Sequence, residues 1–205
     1  MPRASSRDLW TAKLTGQPAP AGTALRARRA EAVWTERTLS NEASRSFVGT
    51  VLGIDPSLRG TGLAVVRFET GLEGMLVSSQ TLRLQSKLTR PECLAAIARA
   101  VTEAIQSHAV DAVAVEETIY VQNDRTAQIL GAARGAAIAA AALQHLPVAE
   151  YAPKRIKQAV TGRGQASKEQ VAAMLVSLLQ NTRALPPDES DAAAVAFTHA
   201  AMTRG

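Results

Sequence analysis

Residues 51–66 read VLGIDPSLRGTGLAVV: an apolar run carrying one aspartate, a turn of Pro, Ser, Arg and Gly, and a second apolar run. Short continuous apolar runs bounded by turn residues mark strands buried in a sheet. A carboxylate withdrawn from water at the end of such a strand costs several kcal/mol unless it is paired or holds a cation. Asp55 therefore demands partners, and the rest of the chain has to supply them.

The pattern around Asp55 is regular from residue 47 onward. Strands are predicted over 47–55, 62–69 and 75–84, joined by short glycine-containing links that make an antiparallel meander. A helix with proline near its start follows over 91–108. A fourth strand, 111–117, again ends in acids. Helix 125–146, strand 148–152 and a short basic helix, 153–162, come next. Helix 167–180 opens on Ser167 and Gln170, which have capping-box spacing. A last helix, 188–202, follows Pro186-Pro187. Three antiparallel strands followed by helix–strand alternation predict an α/β fold: a five-stranded mixed sheet with helices on both faces.

The 205 residues suit one domain, 48–205, behind an N-terminal extension, 1–47. Up to residue 48, eight Lys/Arg stand against four acids, a balance of +4; the remaining residues hold 15 bases and 14 acids, a balance of +1. The extension reads as a flexible basic tail, with TGQPAPAGT (15–23) as a linker and 24–39 as a potential basic helix. It lacks the apolar centre of a secretory signal. A single cysteine, Cys93, excludes an internal disulfide and fits the reducing cytoplasm. The most apolar run, 131–146, is about one turn short of a membrane span and contains Arg134, so no membrane contact is expected. The pI near 9.9 points to a polyanionic partner.

Four acids stand out by position. Asp55 ends the first strand and Glu116 the fourth; Asp188 and Asp191, three apart, share one face of the last helix. Sites in such sheets collect at strand ends and helix termini. Converging carboxylates without His or Cys form a hard oxygen site suited to Mg2+ or Mn2+. Two such ions about 4 Å apart activate water and stabilise the leaving oxygen of a phosphodiester. Each acid also has a local reading: Asp55 as a turn cap, Asp188 as a helix cap, Asp191 as dipole compensation, and one of Glu116 and Glu117 as a solvated strand end. His108, His145 and His199 fall in no ligand spacing. Small residues at 131, 132, 135 and 139 permit close helix approach, in the core or between subunits.

The motif order LGIDPSLRGTGLAVV, VAVEETIYVQND, LGAARGAAIAAA, PVAEYAPKRIKQAVTGRGQASKEQV and PPDESDAAAVAFTHA resembles the RuvC family of bacterial Holliday junction resolvases, from about residue 48 to 201. The resemblance implies a ribonuclease H-like fold, a homodimer and Mg2+-dependent, symmetrical nicking of four-way DNA junctions, with a branch-migration motor complex as a further partner. It places the catalytic acids on Asp55, Glu116, Asp188 and Asp191, holding about two Mg2+ ions, with Mn2+ as a substitute. It places DNA-contacting bases at Lys157 and Lys168, a patch that Lys154, Arg155 and Arg163 extend. The loop 118–125 commonly carries a stacking aromatic; here Ile119 holds that position with Tyr120 beside it, and Asn123 and Arg125 are placed for polar contacts.

Three other readings share parts of this pattern. A ribonuclease H-fold nuclease acting on another nucleic acid, such as precursor RNA, would share the early and late acids. A sugar-kinase or actin-like ATPase would share GIDPSLRGTG but needs two such domains. A non-catalytic junction-binding module would not need all four acids.

Overall fold

The computed structural model describes residues 47–69, 72–117, 123–180 and 184–203. The expected basic tail, residues 1–47, and the two apolar loop residues Ile119 and Tyr120 fall outside this set, apart from Phe47. Five strands form one mixed sheet: β1 (Gly49–Asp55), β2 (Gly60–Phe68), β3 (Gly74–Arg83), β4 (Ala112–Glu116) and β5 (Val148–Tyr151). Their order is β3-β2-β1-β4-β5. The meander β1-β2-β3 is antiparallel, and β4 and β5 add on parallel to β1. This is the expected sheet, with strand ends displaced by one or two residues.

Alternation along β1 decides what covers each face. Leu52 and Ile54 join Leu63, Val65, Val113 and Val115 under α1 (Arg90–His108) and α2 (Asp124–Leu143). Val51 joins Ala64, Val66, Phe68 and Ala114 on the other face, under α3 (Pro153–Thr161), α4 (Lys168–Leu178) and α5 (Pro187–Met202). Phe68 and Phe197 are fully buried there with ring centroids 6.5 Å apart. Burial of side chains that large is worth roughly 1.5–3 kcal/mol each.

Helix α2 corrects one sequence expectation. It begins at Asp124 and, by length and composition alone, is long and apolar enough to cross a membrane. Here one stripe of it, Ala133, Ala137, Ala140 and Ala141, is buried against the sheet and α1. Arg134 forms an ion pair with Glu150 of β5. The helix stops at Leu143, three residues before the predicted end, and His145 turns out of it with φ +59°.

Helix α5 is buried from Ala192 to Ala200, as a helix apolar all round must be. Its backbone lies directly on the sheet. A Cβ on Gly53 would stand 2.0 Å from the Ala192 carbonyl oxygen, and one on Gly62 would stand 2.0 Å from that of Asp188. Gly62 lies two residues into β2, past the turn between β1 and β2. That turn is tied by side chains: the Thr61 hydroxyl donates to the Ser57 carbonyl, and the Gly60 amide donates to Ser57 Oγ at 3.1 Å. Gly62 is small because a helix backbone rests on it.

Gly53→Ala and Gly62→Ala are each expected to destabilise the protein by about 3 kcal/mol, at the upper end of overpacking costs. Gly60→Ala, whose Cβ would meet atoms no nearer than 3.7 Å, is the control and should change stability by less than about 1 kcal/mol. Denaturant titration of the three variants decides. Equal stability of all three would mean that the helix does not press on the sheet backbone.

Candidate active site

The alternation that sorts the core also aims the acids. Asp55 has the parity of Val51 and Gly53, so it faces α5. Glu116 has the parity of Ala114 and emerges on the same side, while Glu117 has the opposite parity. β1 and β4 are parallel neighbours, so both acids leave the sheet at the same end.

Helix α5 brings the other two. Its N-cap is Pro186, so Asp188 lies inside the first turn rather than capping it. The Asp188 backbone sits over Gly62, which pairs with Asp55 across β1 and β2. Asp188 Oδ2 lies 3.7 Å from where a Gly60 Cβ would be. Asp191, one turn on, lines a cleft of about 200 Å³ with Glu116, Pro153, Ile156, Lys157, Lys168, Val171 and Ala194.

The acids feel each other. Burial, with Asp191 and Asp188 nearby, pushes the Asp55 carboxyl up to about 6, against a smaller opposing pull from Lys168. Burial, then the charges of Asp55 and Asp191, pushes Glu116 up to about 7. Among the described residues, the Lys168 ammonium bonds Asp191 beside them. That bond and the surrounding acids raise the Lys168 pKa. The lysine side chain is 70% exposed, so the pair is worth about 0–1 kcal/mol and is cheap to open.

This donor set fits a hard divalent cation. Every converging ligand atom is a carboxylate oxygen, and the raised pKa values mark negative charge that the protein leaves under-compensated. Among the described residues no three His, Cys, Asp or Glu side chains are already closed around a metal-sized point. Lys168 instead takes Asp191 to one side.

The predicted DNA-contacting residues divide. Lys157 and Lys168 line the cleft beside Glu116 and Asp191. Lys154 and Arg163 are exposed on α3 and on the turn after it. Arg155 does not line that cleft. Its guanidinium packs on Met202 Sδ at 3.3 and 3.4 Å, about 21 Å along α5 from Asp188. The α3 periodicity explains this, since residues 155 and 157 point in well-separated directions. Asn123 is occupied as the N-cap of α2, accepting from the Thr126 amide at 3.1 Å, while Arg125 is exposed. His199 is structural: it is buried and hydrogen-bonds Tyr151 Oη through Nδ1 at 3.0 Å. Two features escaped the sequence reading: Lys168 reaching into the acids, and Glu189, whose carboxylate is held by Ser79 and Thr81 of β3. Only the pairing of β3 with β2 could have revealed the second.

An acid whose folded pKa exceeds its unfolded value loses stability as pH rises, because the unfolded chain ionises first. Without divalent cations the protein should therefore weaken between about pH 4 and pH 7. Asp55→Asn removes one share of that loss and should stabilise the metal-free protein by about 2 kcal/mol at pH 8 and little at pH 4. Thermal melts in chelator at both pH values test this; a variant no more stable at pH 8 would refute the mutual repulsion.

Comparison with known proteins places this geometry. The family model described as Crossover junction endodeoxyribonuclease RuvC matches residues 51–199, which include all four acids. The chain is 42% identical over 155 residues to the protein of that name from Mannheimia succiniciproducens, covering 76% of this chain and 77% of the relative. It is 44% identical over 149 residues to that from Pelobacter propionicus, covering 73% and 84%. Among solved structures, Thermus thermophilus RuvC in complex with a Holliday junction substrate superposes with TM-score 0.73 at 34% identity, covering 76% of this chain and 95% of that one. The shared sequence runs through every strand that frames the acids, and on that basis the chain belongs to the RuvC family of crossover junction endodeoxyribonucleases.

Proposed function

We infer that this protein resolves Holliday junctions by hydrolysing a phosphodiester in each of two opposed strands. The observation that carries the reading is the meeting of Asp55, Glu116, Asp188 and Asp191 at one end of the sheet, beside a cleft that Lys157 and Lys168 also line. These four carboxylates would hold divalent cations, which we take to be two Mg2+ ions per site, replaceable by Mn2+. When bound, such ions activate water and stabilise the leaving 3′ oxygen, giving 5′-phosphate and 3′-hydroxyl ends that a ligase can seal.

The remaining work falls to the chain itself. Asp55 and Glu116 are fixed on adjacent strands, so their separation is set by the sheet. Asp188 and Asp191 are fixed by a helix that the sheet backbone supports. Lys157 and Lys168 place positive charge at the cleft mouth, where a backbone phosphate would enter, with Lys154 and Arg163 extending the track. Lys168 releases Asp191 at little cost when a stronger cation arrives.

Symmetrical nicking calls for two sites related by a two-fold axis, and we take the functional unit to be a homodimer. Gly131, Gly135 and Ala139 support this, forming an exposed stripe on α2 opposite its buried one. Among the described residues, no neighbouring atom comes within 4 Å of a Cβ built on Gly131 or Gly135, so their packing does not require these glycines. A branch-migration motor and residence in the cytoplasm complete the proposal, with residues 1–47 as a basic extension outside the nuclease domain.

Two experiments test this. A labelled mobile four-way junction, a linear duplex and an RNA–DNA hybrid are incubated with the protein in Mg2+ and in EDTA. Paired nicks in the junction alone, and only with Mg2+, are expected; cleavage of the hybrid instead would assign the protein to RNA processing. Asp55→Asn should bind the junction normally and cleave it at least ~100-fold more slowly, as loss of several kcal/mol of metal-ion catalysis requires. Gly135→Arg should convert the dimer to a monomer in sedimentation experiments; an unchanged dimer would move the interface elsewhere.

A further inference from the structure

The start of α5 carries two of the four acids, yet its first turn is held weakly from within. Its N-cap is Pro186, which offers no side-chain acceptor to the free amides of that turn. Its contact with the sheet is helix backbone on glycine, at Gly53 and Gly62. A smooth interface of that kind fixes how near the helix lies. Side chains that interlock, such as Phe197 with Phe68, lie nine residues beyond Asp188 and leave the rotation of the first turn less fixed.

Glu189 supplies what is missing. Its Oε2 accepts from Ser79 Oγ at 2.6 Å and its Oε1 accepts from Thr81 Oγ1 at 3.4 Å. Thr81 is the β3 partner of Gly62, the residue beneath Asp188, and Ser79 is the partner of Ala64. The carboxylate thus spans from the helix turn across β2 to the far strand. Hydrogen bonds to a charged acceptor are about twice as strong as neutral ones. They also draw the negative charge of Glu189 away from Asp188 and Asp191 on either side of it in sequence.

We propose that Glu189 is a positioning residue: through Ser79 and Thr81 it locks the rotation of the first turn of α5, and so sets the directions in which Asp188 and Asp191 present their carboxylates to a divalent cation. This rests on the reading of those acids as cation ligands, and it assigns Glu189 no place in the ligand set.

Mn2+ binding to the full-length protein, followed by calorimetry and by the EPR signal of the free ion, tests this without reference to cleavage. Glu189→Ala should weaken Mn2+ binding at least tenfold, the range typical of outer partners of metal ligands. Glu189→Gln, which keeps an oxygen that accepts from Ser79, should recover to within about threefold of the parent. Ser79→Ala/Thr81→Val should reproduce the Glu189→Ala loss, and adding Glu189→Ala to it should cost little more, because all three act as one unit. Should Glu189→Ala fail to fold, the Ser79 and Thr81 variants carry the test alone. Normal Mn2+ affinity in those variants would overturn the proposal. So would Glu189→Gln being as impaired as Glu189→Ala, since that would make the carboxylate a ligand. A parent protein that binds Mn2+ normally but leaves junctions uncut would fail the resolvase reading and leave this one standing.

Discussion

Everything in this domain hangs on the distance between one helix and the sheet beneath it. Backbone lies on backbone where α5 crosses Gly53 and Gly62, with no room for a single methyl group at either point. That closeness has two effects. It seals the larger core, since Ala192 to Ala200 are buried between the sheet and the outer helices. It also lowers the start of the helix to the level of the strand ends, so that acids separated by more than 60 residues in sequence come to one place. Had ordinary side chains stood between α5 and the sheet, Asp188 and Asp191 would hang above Asp55 rather than beside it.

Carboxylates gathered this way repel one another. Asp55 and Glu116 have raised pKa values for two reasons of the same sign: they have lost water, and they face other acids. Among the described residues, no buried base neutralises them. The protein offers Lys168, a long exposed side chain that bonds one acid and can leave. A buried arginine in that position would stabilise the apoprotein more and exclude the cation. The arrangement is a familiar compromise, in which local stability is given up at the place where chemistry is done.

The strands and the gathering of the acids were legible because they obey short rules. Apolar runs bounded by Gly and Pro marked the strands, and acids at the ends of two of them marked Asp55 and the adjacent pair Glu116 and Glu117, between which the family resemblance chose Glu116. Three-residue spacing after two prolines gave Asp188 and Asp191. Other features depend on contacts that spacing does not encode. Gly62 reads as an ordinary start to a strand until the helix above it is seen. The contact of Arg155 with Met202 is invisible until α3 is laid beside the end of α5. Glu189 reads as one more acid in DESD until β3 is placed beside β2. In each case the deciding partner comes from a distant element, and no local pattern records the distance.

The order of the acids along the chain bears on how the domain comes into being. Asp55 lies in the first strand of the sheet and Asp191 in its last helix, so the constellation spans nearly the whole domain. A nascent chain emerging from the ribosome can pair β1 with β2 and β3 at once, since those contacts are local. It cannot assemble the acids until α5 has been made, and until then the sheet face that α5 covers has no lid. Synthesis thus keeps the four acids apart until the last helix docks. One event closes the core and gathers the carboxylates, so a partly made or C-terminally clipped chain holds Asp55 and Glu116 without Asp188 and Asp191.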